Sequence, residues 1–212
     1  MTPKPTNSAT AAQKPPHRLS KHQHQSKHLH QAVPEEVLDG LLQVFSARGF
    51  DGASLMDLAT ACNRSKASLY HHFPGGKQQM IEHLVARCRE ALDQQAFARL
   101  HDVKGKKAAR KALDQFVQGF ANYLKQHQGN CLLATLALTQ PGLLGDQQKP
   151  QLAQWQASLS RACQQLGYKP KRAHRLAQAS LARLYGSLTL AAMGSHVSMS
   201  QACKWLKRDL LG

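Results

Sequence analysis

Residues 54–77, SLMDLATACNRSKASLYHHFPGGK, decide the fold of this chain. Ser54 precedes Asp57 by three residues, a pattern typical of a capping box, in which each side chain satisfies a backbone N–H group at a helix start. Asn63 follows as a residue that tolerates the left-handed conformation at a helix end. The pattern predicts a short helix and then a turn, and the apolar face of this helix consists of Leu55, Leu58, Ala59 and Cys62.

A second short helix is predicted directly after that turn. Ser65 can cap its first turn, and Pro74 with the two glycines behind it predicts its end. Leu69 and Phe73 lie four residues apart and therefore share one face. The other face offers small, basic and hydrogen-bonding groups, which suit insertion into a DNA major groove. These groups are Lys66, Ala67, Ser68 and His71, with Tyr70 at the border between the two faces.

The run from Leu69 to Phe73, LYHHF, followed by a turn and Lys77, resembles the DNA-binding segment of the tetracycline-repressor (TetR) family. The resemblance extends over about residues 33–85. It implies an all-α protein with an amino-terminal three-helix helix-turn-helix domain for DNA and a carboxy-terminal helical domain for ligand binding and dimerisation. The spelling YHHFPGGK and the later run CLLATLAL also resemble the members that regulate antibiotic and multidrug export.

The resemblance also implies a role for individual residues. Lys66, Ala67, Ser68 and His71 would face base edges, whereas Ser54, Tyr70 and Lys77 would hold phosphates, in line with the general division between contacts that specify and contacts that position. Arg64 stands where the family has a small apolar residue, so it either packs over the helical pair or adds a phosphate contact. The predicted DNA-binding set is Ser54, Arg64, Ser65, Lys66, Ala67, Ser68, Tyr70, His71 and Lys77.

Three segments are predicted: a disordered basic tail over residues 1–32, a DNA-binding domain over 33–76, and an effector-binding and dimerisation domain over 77–212. The tail has five Lys or Arg, no acid and no apolar periodicity. Its histidines are interpreted as solvated rather than as a metal site, since no acid or Cys completes a ligand set. No metal or other cofactor is predicted anywhere in the chain.

The rest of the sequence also favours helices. Pro34, Glu35 and Glu36 are typical of a helix start, and Gly49 of a helix end. The run 131–138, CLLATLAL, could be a buried strand, but the long helical patterns around it favour a buried helix. In the resembled family the last two helices commonly pair with their copies, and we expect a homodimer of the same kind.

A ligand site in the larger domain would be lined by aromatic and flexible groups near the run 131–138. Pockets for small molecules are mostly apolar with a few polar groups. The same side chains at helical spacing are more often plain core. The predicted site, for a hydrophobic or aromatic effector, consists of Phe116, Phe120, Tyr123, Leu136, Trp155 and Tyr185.

The net charge of +16 on 212 residues points to an anionic partner such as nucleic acid. Five widely spaced cysteines without a C-x-x-C pair indicate reduced thiols in a cytoplasmic protein, and neither a membrane span nor a signal peptide is predicted. Paired carboxylates, a nucleophile elbow and a phosphate loop are all missing, so an enzyme is not expected. The prediction is a repressor released from a palindromic operator by a small ligand; the alternative is a basic DNA-organising protein with little sequence preference and no ligand.

Overall fold

The structure is a computed structural model, which describes residues 33–146, 148–193 and 198–212. The tail predicted for residues 1–32 lies outside these ranges. The described residues form α-helices joined by short turns and contain no strand, which confirms the all-α prediction. The helices are α1 Glu35–Gly52, α2 Leu55–Ala61, α3 Lys66–His72, α4 Gly76–Leu92, α5 Lys106–Gln126, α6 Leu132–Thr139, α7 Gln148–Gln165, α8 Pro170–Ala192 and α9 Met199–Leu211.

Helix α1 begins after Pro34 and carries two acidic residues in its first turn. Gly49 interrupts it with a positive φ of 69°, as expected from the sequence, although one further helical turn follows to Gly52. Gly40 lies where α1 and α2 approach closely, because a β-carbon there would be 2.7 Å from the carbonyl oxygen of Ala61. A glycine at this position is therefore needed for the packing of α1 on α2.

After the turn at Gly75 and Gly76 the sequence predicts a long helix up to about Leu100. This stretch is helical throughout, but it is not uniform. Regular α4 ends at Leu92, and one wide turn, Asp93–Phe97, and one tight turn, Ala98–Leu100, follow. The wide turn packs against α5 at Gly119, where there is no room for a β-carbon next to the carbonyl oxygen of Gln95. The sequence pattern did not predict this change of helical pitch.

Helix α6 confirms the helical interpretation of the run 131–138. The sequence favoured a buried helix, but the run is not buried on every side, since Leu138 is 68% exposed. The sequence TQPGLLG at residues 139–145 predicts a loop, but this segment contains a tight helical turn, Pro141–Leu144, because Leu144 is buried in the core and holds it in place. The sequence predicts that Ser198 or Ser200 caps the last helix, and in the structure Ser198 caps α9.

The buried apolar side chains form one continuous cluster that reaches from Val37 in α1 to Leu210 in α9. Helix α5 contributes the most extended buried face and packs against α4, α7 and α9, while α7 and α8 pack along each other. Helix α1 contacts α2, α4 and α6. No helix in the described ranges is long and apolar enough to span a bilayer.

Candidate DNA-binding face

The two short helices α2 and α3 are fixed by side-chain caps at both starts. Ser54 Oγ accepts from the Asp57 backbone N–H at 3.1 Å, and the Asp57 carboxylate accepts from the Ser54 backbone N–H at 3.2 Å, which completes the capping box. Ser65 Oγ accepts from the Ser68 N–H at 3.1 Å. Asn63 has a φ of 49°, the left-handed conformation expected from the sequence. The turn therefore has a defined geometry, and α3 leaves it in a fixed direction.

Helix α3 presents a polar face outward. Leu69 and Phe73 are fully buried, whereas Lys66, Ala67 and His71 are exposed. Ser68 is half-buried at the edge of the face. The exposed groups carry hydrogen-bond donors, a positive charge and a methyl surface, which are the kinds of group that read base edges.

Next to α3 lies an open cleft of about 790 Å³ between α2 and the start of α3. It is lined by Met56, Ala59, Thr60, Asn63, Arg64, Ser65, Lys66 and Ala67. Four of these residues, Met56, Ala59, Thr60 and Asn63, were not in the predicted DNA-binding set. Met56 is 59% exposed, and its position outside the apolar face of α2 was a signal that could have identified it.

Arg64 is held by an acidic partner. Its Nη2 lies 2.9 Å from Glu36 Oε1 on α1, and its Nη1 donates to the carbonyl oxygen of Asn63 at 3.2 Å. The side chain thus connects the turn between α2 and α3 to α1, which is close to the first of the two roles considered from the sequence. A phosphate contact by Arg64 stays a prediction.

The residues expected to hold phosphates lie at the borders of this face. Tyr70 is 44% exposed, and one edge of its ring faces Gly76. The ammonium group of Lys77 lies 4.7 Å from the centre of the Phe50 ring, a cation–π contact that restrains the lysine at the start of α4. Ser54 is exposed at the start of α2, but its hydroxyl also donates to Asp57 Oδ2 at 2.7 Å.

Asp57, at the start of α2, also forms an ion pair. It pairs with Arg48 at 2.7 Å. The hydrogen bond from the Ser54 side chain, followed by the backbone hydrogen bond and the charge of Arg48, holds the pKa of the Asp57 carboxyl below its usual range. A carboxylate is therefore a fixed component of the α2 start at neutral pH.

The residues predicted to bind an effector lie mainly in the core. Phe116, Phe120, Tyr123, Leu136 and Trp155 are buried, and Tyr185 is half-buried. The ring of Phe97 is stacked on Trp155 at 4.4 Å and lies 5.1 Å from Phe116. Trp155 Nε1 donates to Asp93 Oδ1 at 2.9 Å. These side chains pack against protein groups in this structure, and an effector would have to displace or rearrange some of them.

Two tyrosines and two cysteines share one part of this core. Burial raises the pKa of both Tyr123 and Tyr185, and it raises the pKa of Cys131 to about 11. Burial also raises the pKa of Cys88. All four groups are therefore neutral at physiological pH, so they offer an effector hydrogen bonds but no charge.

Comparison with known protein families gives a match in this amino-terminal region. Residues 37–84 match the model of the "Bacterial regulatory proteins, tetR family". The chain is 37% identical over 61 residues to the biofilm operon icaADBC HTH-type negative transcriptional regulator IcaR of Staphylococcus aureus strain Newman, a match over 29% of this chain and 32% of the relative. The chain thus spans about a third of the length of the curated relatives it matches. IcaR of Staphylococcus epidermidis is 33% identical over 56 residues, or 26% of this chain and 30% of that protein.

Solved structures resemble the chain over most of its length. A TetR-like transcriptional regulator from Rhodococcus sp. RHA1 has a TM-score of 0.67 and 19% identity, with 85% of this chain and 97% of that chain covered. A TetR transcriptional regulator from Legionella pneumophila has a TM-score of 0.67 and 17% identity over 86% and 100% of the two chains. AibR, in complex with isovaleryl coenzyme A and operator DNA, has a TM-score of 0.63 and 18% identity over 83% and 96%.

These proteins are named as regulators, not as enzymes, and at this level of identity the structures establish the fold. The helix-turn-helix geometry and the family match fall on the same residues. Residues 37–84 thus match the model of the tetR family of bacterial regulatory proteins, within a chain that has the all-helical fold of TetR-like regulators.

Proposed function

We propose that the protein is a sequence-specific, DNA-binding transcriptional repressor that acts as a homodimer on a palindromic operator. The observation that carries the proposal is the outward face of α3, where Lys66, Ala67 and His71 are exposed above a fully buried Leu69 and Phe73. Two capped helix starts hold this face in one orientation, so its groups are placed before DNA binds. Repression is the direction named for the IcaR relatives, which are negative regulators.

A homodimer would form through α8 and α9. Small residues recur on the exposed side of α8 at Ala179, Ala182 and Gly186, and the exposed Leu190 continues this row. No atom lies within 4 Å of the position that a β-carbon on Gly186 would take. Small residues allow two helix backbones to approach closely, so this row suits contact with a second copy. Two copies must place their α3 helices about 34–36 Å apart to reach successive major grooves.

The proposed effector is a small hydrophobic or aromatic molecule, and it binds among the carboxy-terminal helices α5 to α8. Such a ligand releases the operator only if it binds better to a state in which the two α3 helices are out of register. AibR, which has a similar fold, was solved in complex with both isovaleryl coenzyme A and operator DNA. It is a precedent for a protein of this fold that binds a small molecule as well as DNA. Regulation of antibiotic or multidrug export stays a prediction.

The deciding experiment is selection of bound duplexes from a random DNA pool with the purified full chain at near-physiological salt. Recovery of a palindrome with two half-sites about one helical turn apart would support the proposal. The alternative function, a basic DNA-organising protein, is supported by the net charge of +16. It predicts that no motif is recovered and that binding vanishes as salt rises, because nonspecific binding is electrostatic.

A further inference from the structure

A groove between α5 and α9 shares no lining residue with the DNA-binding face or with the six predicted effector residues. Its volume is about 480 Å³, which is within the range of ordinary ligand pockets. The apolar part of its lining consists of Val117, Ala121 and Leu124 from α5 and Met199 and Cys203 from α9. Val117 and Leu124 are each 1% exposed, so the accessible apolar surface of the groove belongs mainly to Ala121 and Met199.

Three lysines, Lys125, Lys204 and Lys207, stand along this apolar surface, and no acidic residue lines it. Lys207 is paired with Asp114 at 2.6 Å. Among the described residues, Lys125 and Lys204 have no acidic partner within 4 Å, and the remaining residues of the chain contain no Asp or Glu. The groove thus carries two positive charges that no acid of this chain neutralises.

We propose that this groove binds an anionic amphiphile, namely a fatty-acid carboxylate. Its hydrocarbon chain would lie on Ala121 and Met199, over the buried Val117 and Leu124, and its head group would pair with Lys125 and Lys204. The two lysines disfavour a cationic amphiphile through like-charge repulsion, while a neutral one gains no ion pair. The proposal concerns a second site, and it does not rest on the proposed regulation of transcription.

The groove lies on the side of α9 that faces away from α8. On one side of α9, Lys207 pairs with Asp114 of α5, and the groove lies on this side. On its other side, Asp209 pairs with Arg183 of α8. The row of small residues on α8 is therefore separated from the groove by the body of α9.

The test is calorimetric titration of the full chain with decanoate below its micelle concentration. We expect saturable binding of one molecule per chain, and at least tenfold weaker binding of decan-1-ol and of decyltrimethylammonium. Octanoate is shorter by two methylenes and should bind up to about sixteenfold more weakly than decanoate, because each fully buried methylene contributes about a fourfold factor. Binding that does not saturate, or that is equal for the three head groups, would overturn the proposal.

Two variants locate the site. The pair Lys125→Gln and Lys204→Gln should weaken decanoate binding at least tenfold, whereas the matched control, Lys149→Gln and Lys171→Gln on the exposed surfaces of α7 and α8, should leave it unchanged. Ala121→Phe should abolish binding by filling the groove, with circular dichroism to establish that the variant is folded. Equal losses in the lysine pair and its control would refute the site, and so would unimpaired binding by folded Ala121→Phe.

Discussion

Gly119 on α5 lies directly against the carbonyl oxygen of Gln95, so that a β-carbon at position 119 would overlap this oxygen. The contact is between two backbones, and neither can move without disturbing a helix. We expect Gly119→Ala to lower the free energy of unfolding by about 3 kcal/mol or more, measured by urea denaturation. Gly142→Ala is the control, because no atom lies within 4 Å of its β-carbon position. A native-like midpoint for Gly119→Ala would show that the wide turn is not held in place by this contact.

Substitutions on the DNA-binding face should separate specificity from affinity. Lys66→Ala should change which base pairs are preferred, at a cost of about 1–3 kcal/mol on the best site. Tyr70→Ala and Lys77→Ala should instead weaken binding to all sequences, and Lys77→Ala should also reduce the salt dependence by about one unit of slope. The measurement is fluorescence anisotropy on the selected site and on a scrambled duplex. The assignment of Lys66 fails if both its preferred site and its affinity are intact.

The ion pair between Arg64 and Glu36 suggests a test of whether Arg64 can reach DNA. We expect Glu36→Gln to free Arg64 for a phosphate, so that DNA binding tightens and its salt dependence steepens by about one unit of slope. Adding Arg64→Ala to this variant should reverse both effects. Glu82→Gln, which removes an exposed acid on α4, controls for the change in net charge. If Arg64→Ala has no effect in the Glu36→Gln background, Arg64 serves the structure of the turn alone.

Asp57 should make stability depend on pH in the acidic range. Its pKa is held below the usual range by the Ser54 hydrogen bonds and Arg48, so the carboxylate form stabilises the folded state above the unfolded pKa of about 4. This contribution is lost as the pH falls through the lower, folded pKa. The difference in urea midpoint between the native protein and Asp57→Asn should therefore be largest near pH 6 and shrink toward pH 3. A difference that stays constant with pH would contradict this role.

The buried cysteines should react slowly while the protein is folded. Cys62, Cys88, Cys131, Cys163 and Cys203 are all free and buried, and burial raises the pKa of Cys131 and Cys163 to about 11. At pH 8 only about one in a thousand of such thiols is ionised, and the thiolate is the reactive form. Ellman's reagent should therefore label the native protein slowly and the urea-unfolded protein at once. Rapid labelling of one native cysteine would indicate a reactive thiol.

The sequence was most informative where local rules act alone. The capping box at Ser54, the left-handed Asn63, the cap at Ser65 and the break at Gly49 all depend on side chains within a few residues, and the structure confirms each of them. The helical state of the run 131–138 also followed from the patterns around it.

The features that the sequence did not predict depend on contacts between distant segments. The wide turn at Asp93–Phe97 packs on α5 at Gly119, and Leu144 converts an expected loop into an anchored turn by inserting into the core. The partner of Arg64 lies on α1, 28 residues away. The groove between α5 and α9 brings lysines from two helices together, and no local sequence pattern predicts that these lysines lie close in space.

The packing of α1 has a consequence for the autonomy of the amino-terminal domain. Arg87 on α4 pairs with both Glu35 and Asp39 of α1, Gln140 after α6 is hydrogen-bonded to Asp51, and the apolar side of α1 belongs to the continuous core. A fragment that ends at residue 76 would lose all of these partners. We therefore expect residues 33–76 and 77–212 to differ in function but to form a single cooperative folding unit, so that the two domains unfold in one thermal transition.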